Sequence, residues 1–141
     1  MKIIICGVSG SGKTTLAQKL KKKYKLHMIA SPSTGIAGNQ ELIRFRAMHN
    51  HNSFKIFNQA VMDRCMLDVY AYEKTYLNSD DMFDLALETV REVKHNTLFI
   101  LLTKCIKEKR DSDDKYSNIC REFLDNLRCS YISMQIQSKE G

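Results

Sequence analysis

Residues 2–16 read KIIICGVSGSGKTTL: an apolar run, a glycine-rich turn, then a lysine followed by two threonines. Gly7, Gly12, Lys13 and Thr14 complete the spacing G-x-x-x-x-G-K-[ST]. Glycines at 7, 10 and 12 let the backbone turn tightly, and the freed N–H groups point inward to cradle phosphate oxygens. The following helix adds the positive end of its dipole at the same point. The stretch therefore predicts a strand over 2–6, a helix over about 13–24, and a triphosphate held between them. Its expected contacts are Gly7, Ser9, Gly10, Ser11, Gly12, Lys13, Thr14 and Thr15. Lys13 is expected to reach the β- and γ-phosphates and the Thr14 hydroxyl to ligate Mg²⁺, so ATP and Mg²⁺ are the expected ligands.

The rest of the chain fits one domain, 1–141, with a single core. Its 43% hydrophobic and 27% charged residues are ordinary for a globular protein. The longest apolar runs, 3–6 and 98–102, are too short to cross a bilayer. No charged-then-apolar leader precedes the first strand, so the expected location is cytoplasmic, the host cytoplasm if the protein is phage-encoded. Five scattered cysteines without a C-x-x-C pair read as core residues in a reduced compartment. The net charge of +6 includes five lysines within 19–25, read as a solvated helix face with an attraction for polyanions. His49 and His51 fall in a polar stretch and make no convincing zinc site.

Strands alternate with helices along the chain. After the first helix come a strand over 26–30, a loop over 31–38, a helix over 39–48 and a turn over 49–53. The β-branched and aromatic run 54–62, FKIFNQAVM, predicts a third strand leading into Asp63-Arg64. A helix to about Tyr76 follows. Ser79 then reads as the N-cap of another helix, with Asp80 and Asp81 in its first turn. A buried strand over 97–103, a charged connector over 104–114, a helix over about 113–127 and a last strand over 129–134 complete the pattern. The expectation is an α/β fold of three layers around a central parallel five-stranded sheet. Its ligands belong at the carboxyl ends of the strands.

Asp63, ending an apolar strand, suits a carboxylate that holds the metal or its waters, or a base for an attacking hydroxyl. Arg64 suits a clamp on transferring or acceptor phosphate. On these residues the chain, over roughly 2–134, resembles a small P-loop kinase of the nucleoside and nucleotide kinase group. The segment DRCMLDVYAY, 63–72, is similar to the D-R-x-x-L-D-x-x-A-Y segment of nicotinamide-riboside-kinase-like AAA domains and to the shorter D-R motif of thymidylate kinases. The resemblance implies the P-loop NTPase strand order 2-3-1-4-5, magnesium or catalysis organised by Asp63, and phosphate contact by Arg64. Asp68 and Tyr72 match the same pattern and are assigned to packing or helix bonding. The segment 107–111, KEKRD, resembles the kinase lid, here a short one around 104–114. Arg110 is its first choice as catalytic arginine, and Lys107 and Lys109 are substitutes.

Ser33-Thr34-Gly35 is faintly similar to the S-T-G of adenylate kinases, in which a downstream arginine grips the acceptor monophosphate. Arg44 or Arg46 would fill that role, although the spacing departs from that family. Residues 29–38, IASPSTGIAG, contain no acid. An ionised phosphate acceptor needs clamps but no base, which favours a (deoxy)nucleoside monophosphate. Glu41 or Asp63 as base would serve the alternatives, a nucleoside or polynucleotide hydroxyl, and a nucleotide-binding switch without transfer is the third reading. Aromatics among Phe54, Phe57 and Tyr70–Tyr76 are candidates for stacking on an acceptor base. The expected partner is a small nucleotide, with no membrane, and the chain a monomer or homodimer.

Overall fold

The computed structural model describes residues 1–104 and 109–135. Strand β1, Lys2–Gly7, is buried at every position and lies at the centre of a parallel sheet of order β2-β3-β1-β4-β5. Its neighbours are β3, Ala60–Asp63, and β4, Leu98–Thr103. The edges are β2, His27–Ile29, and β5, Tyr131–Gln135. The expected architecture and strand order are those observed.

A strand buried on both faces must send alternate side chains to separate cores. Ile3 and Ile5 meet Ala17 of helix α1, Lys13–Tyr24, together with Leu26, Val61, Ile100 and Leu102. Ile4 and Cys6 enter the larger core on the other face. That core is supplied by α2 (Gln40–Ile56), α3 (Met66–Tyr76), α4 (Phe83–Val93) and α5 (Asp111–Asn126). On α5, Tyr116, Cys120, Phe123 and Leu124 are buried along the predicted stripe. The lysines of 19–25 all face solvent, and Lys21, Lys22 and Lys23 in the last turn of α1 complement its negative end.

Two local expectations are corrected. The run 54–62 is not one strand: α2 continues through the predicted turn to Ile56, and β3 holds only Ala60–Asp63. Ala47, His51 and Phe54 are the buried positions of α2 and follow helical spacing, whereas Ile56 and Phe57, read as strand residues, are exposed. His51 is carried inward on this helix, beside Glu92 at 3.2 Å. Second, α4 begins at Phe83 and not just after Ser79. The Ser79 hydroxyl accepts from the Asp81 N–H at 3.2 Å and shapes the preceding turn instead.

From β1 the chain crosses to the β2 edge, returns to β3, and then passes to β4 on the far side of β1. The crossovers therefore change direction between β1 and β3. At that point the strand ends part and leave a crevice, with Gly7–Thr14 on one side and Asp63-Arg64 on the other.

Candidate active site

The loop after β1 is built as its sequence requires. Gly7 has φ +147°, and a Cβ there would collide with the Leu102 carbonyl oxygen of β4. Gly12 caps α1 with φ +95°, and no acidic residue in the first helical turn offsets the positive field of its N–H groups. Lys13 is buried, its Nζ donating to the Val8 carbonyl at 2.6 Å with Ser11 Oγ at 3.5 Å. Burial, with the nearby Arg64 guanidinium, lowers its ammonium pKa to about 8.

Across the crevice, Thr14 Oγ1 donates to Asp63 Oδ2 at 2.8 Å. The other carboxylate oxygen, Oδ1, is buried with no hydrogen-bond partner among the described residues. Burial pushes the Asp63 carboxyl up, against the opposing pull of the Thr14 bond and Lys13. A hydroxyl and a carboxylate, one oxygen of it unspent, form an oxygen-only set that fits Mg²⁺. Arg64 follows with φ +72°, a conformation that non-glycine residues rarely adopt and that costs about 1–3 kcal/mol. Its N–H is tied to the Ile5 carbonyl at 2.8 Å, and its buried Nε has no partner among the described residues.

Two adjoining cavities meet at this arginine. One, of about 350 Å³, lies over the loop and is bordered by Gly10, Gly12, Lys13, Thr14, Thr15, Ser31, Thr34 and Asp63. The second, also about 350 Å³, extends between α2, α3 and α5 and is walled by Pro32, Gln40, Ile43, Val69, Tyr72, Tyr76, Arg110 and Tyr116. Ser9, Ser33 and Arg64 line both. Tyr72 and Tyr76 stand as neighbouring rings with centroids 4.8 Å apart.

The structure thus brings Lys13, Thr14, Asp63 and Arg64 to the cavity over the loop, and Arg110 to the adjoining cavity that Arg64 also lines. The Arg110 guanidinium is largely exposed, 3.7 Å from Asp113 Oδ1, and its backbone N–H donates to Asp113 Oδ2 at 2.9 Å. Lys109 pairs with Asp114 at 3.0 Å. Lys107 lies outside the described residues. Arg44 and Arg46 line neither cavity. Arg44 makes a two-pronged pair with buried Glu73, through Nε at 2.8 Å and through Nη2. Arg46 donates to the Thr34 carbonyl at 2.7 Å.

The sequence reading missed how far Asp68 reaches. Its Oδ1 accepts from Gly7 N–H at 3.0 Å and from the Tyr116 hydroxyl at 2.6 Å, and its Oδ2 accepts from Cys65 N–H at 3.1 Å. One buried carboxylate therefore ties the start of the phosphate loop to the start of α3 and to α5. Its place in the D-R-x-x-L-D segment was the only hint, and nothing marked Tyr116 beyond its place in a core stripe.

Comparison with solved structures puts this geometry in context. NadR in complex with NR matches with a TM-score of 0.67 at 15% identity, over 99% of this chain and 46% of that one. Thymidylate kinase from Ehrlichia chaffeensis matches with a TM-score of 0.65 at 14% identity, over 100% and 89%. YorR from Bacillus subtilis, in complex with phosphorylated GDP, matches with a TM-score of 0.62 at 18% identity, over 96% and 85%. The fold is that of the P-loop kinases. No protein-family model matches the chain, and no curated sequence matches it significantly. The cavity over the loop lies at the carboxyl ends of β1 and β3. Among the described residues no helix is long and apolar enough to cross a membrane.

Proposed function

We propose that this chain transfers the γ-phosphate of ATP to a nucleotide, a (deoxy)nucleoside monophosphate. The observation that carries the proposal is Arg64. Arg64 lines both cavities, and among the described residues its buried Nε has no partner. A buried donor of this kind calls for an acceptor, and phosphate oxygens of the donor, the acceptor or the group in transit supply one.

The loop N–H groups and Lys13 hold the β- and γ-phosphates, and the unspent oxygen of Asp63 with the Thr14 hydroxyl would hold Mg²⁺. Held there, Mg²⁺ would supply charge neutralisation to the phosphate oxygens. Arg110, at the rim of the second cavity, is placed to add positive charge and exclude water once both substrates are bound. Arg44 and Arg46 lie off both cavities, so Arg64 takes the phosphate-clamping role in this reading. A phosphate acceptor is favoured because Asp68, the one carboxylate among the described residues that line the second cavity, already accepts three hydrogen bonds, from Gly7, Cys65 and Tyr116, and is committed to the fold.

The second reading is transfer to a hydroxyl, with the unpaired Oδ1 of Asp63 as base. An ATP-coupled assay over the common nucleoside monophosphates and nucleosides separates the two. Turnover with a monophosphate, absent in Lys13→Ala, is expected. Turnover with nucleosides alone would replace the first reading by the second, and turnover with neither would end both.

A further inference from the structure

Glu73 is a fully buried carboxylate that the transfer chemistry does not use. It projects from α3 toward α2, where three N–H groups converge on it. The Arg44 guanidinium grips both oxygens, and Gln40 Nε2 donates to Oε2 at 2.9 Å. Of these residues only Gln40 lines the second cavity. A carboxylate can only accept, so it admits one orientation of the Gln40 amide, with the NH₂ toward Glu73. The amide oxygen and the second N–H are then turned away from Glu73. Arg44, bonded to both carboxylate oxygens, in turn holds Glu73 in this orientation. Across the same cavity stand Tyr72 and Tyr76, whose rings suit a flat aromatic ligand, and Arg64, which suits a phosphate.

We propose that Arg44 and Glu73 are positioning residues that lock the Gln40 amide as reader of the acceptor's nucleobase. The cavity then selects nucleotides whose base edge offers an N–H beside an acceptor atom, and discriminates against sugar phosphates without a base. The proposal rests on the nucleotide-acceptor reading above. It gives Arg44 a specificity role in place of a phosphate contact.

The test is equilibrium binding of AMP, CMP, GMP, UMP, dTMP and ribose 5-phosphate, with Mg²⁺ and a non-hydrolysable ATP analogue present. In the unmodified protein at least one nucleotide is expected to bind about tenfold or more tightly than ribose 5-phosphate, the scale of one well-placed buried hydrogen bond plus ring contact. Gln40→Leu, which keeps the bulk and removes the amide, should shrink that gap. Glu73→Gln, which accepts either amide orientation, should shrink it as well. In both variants ribose 5-phosphate should bind as before, whereas a merely structural role would weaken every ligand together. Persistence of the gap in either variant overturns the proposal, as does equal binding of ribose 5-phosphate and all nucleotides by the unmodified protein. Binding of no member of the panel overturns the nucleotide reading itself, and the proposal with it.

Discussion

Replacing Asp68 by Asn removes a charge while leaving the side chain's shape, and the geometry sets the cost. Asn keeps one acceptor oxygen where Asp68 uses two. The better placement puts that oxygen where Gly7 N–H and the Tyr116 hydroxyl converge, at 3.0 and 2.6 Å. The amide NH₂ then faces the Cys65 N–H that Asp68 Oδ2 receives at 3.1 Å, donor against donor. One hydrogen bond to a charged group is lost, about 1.5–3 kcal/mol, and a buried N–H is orphaned, about 1–3 kcal/mol. A total of about 2.5–6 kcal/mol lowers Tm by roughly 5–24 °C for a chain of this size. Tyr116→Phe deletes a single donor and leaves Asp68 with two N–H partners, so it should cost about half as much. Thermal melts of the two variants beside the unmodified protein provide the measurement. ATP affinity should fall further in Asp68→Asn, because Gly7 opens the phosphate loop. A melting point for Asp68→Asn within about 2 °C of the unmodified protein would refute the account, and so would a larger loss for Tyr116→Phe.

Three other outcomes follow from the site. Lys13 has a pKa lowered to about 8 by burial, so kcat/KM for ATP should decline as pH rises through about 8 and the ammonium is lost. Stability runs the other way: the charged form is disfavoured by folding, and that penalty, present below about 8, is relieved as pH rises toward the ordinary lysine value. A Lys13→Met variant should lose both dependences. Gly7→Ala must push against the Leu102 carbonyl and should cost more than about 3 kcal/mol in denaturant melts, whereas Gly35→Ala, with φ +76° and open space around it, should cost only about 1 kcal/mol. Asp63→Asn should keep the bond to Thr14 but weaken the metal site, raising the Mg²⁺ needed for half-maximal turnover about tenfold or more. An unchanged Mg²⁺ requirement would remove Asp63 from that site.

What was legible in the sequence was local or repetitive. The loop 7–14 carries its own geometry, and a strand buried on both faces is an unbroken apolar run. The placement of Asp63-Arg64 needed only the parallel topology to bring β3 beside β1. The run 54–62 misled because Phe54 belongs to a helical face with Ala47 and His51, while the β-branched and aromatic residues beside it mimic a strand. The fate of Arg44 depended on Glu73, 29 residues away. An arginine on an amphipathic helix reads the same whether it meets a phosphate or a buried carboxylate. Tyr116 was likewise visible only as a core ring, since its hydroxyl partner is 48 positions distant.

The hydrogen bonds of Asp68 also bear on how ligand binding is linked to folding. They join positions 61 and 48 apart in the chain, so each requires closing a long loop before any gain is returned. The Gly7 N–H is therefore held by Asp68 only in the folded chain, and the unfolded chain has no such loop to offer a phosphate. A triphosphate seated there would bind the folded state alone, so it should raise Tm by an amount that grows with its concentration relative to Kd.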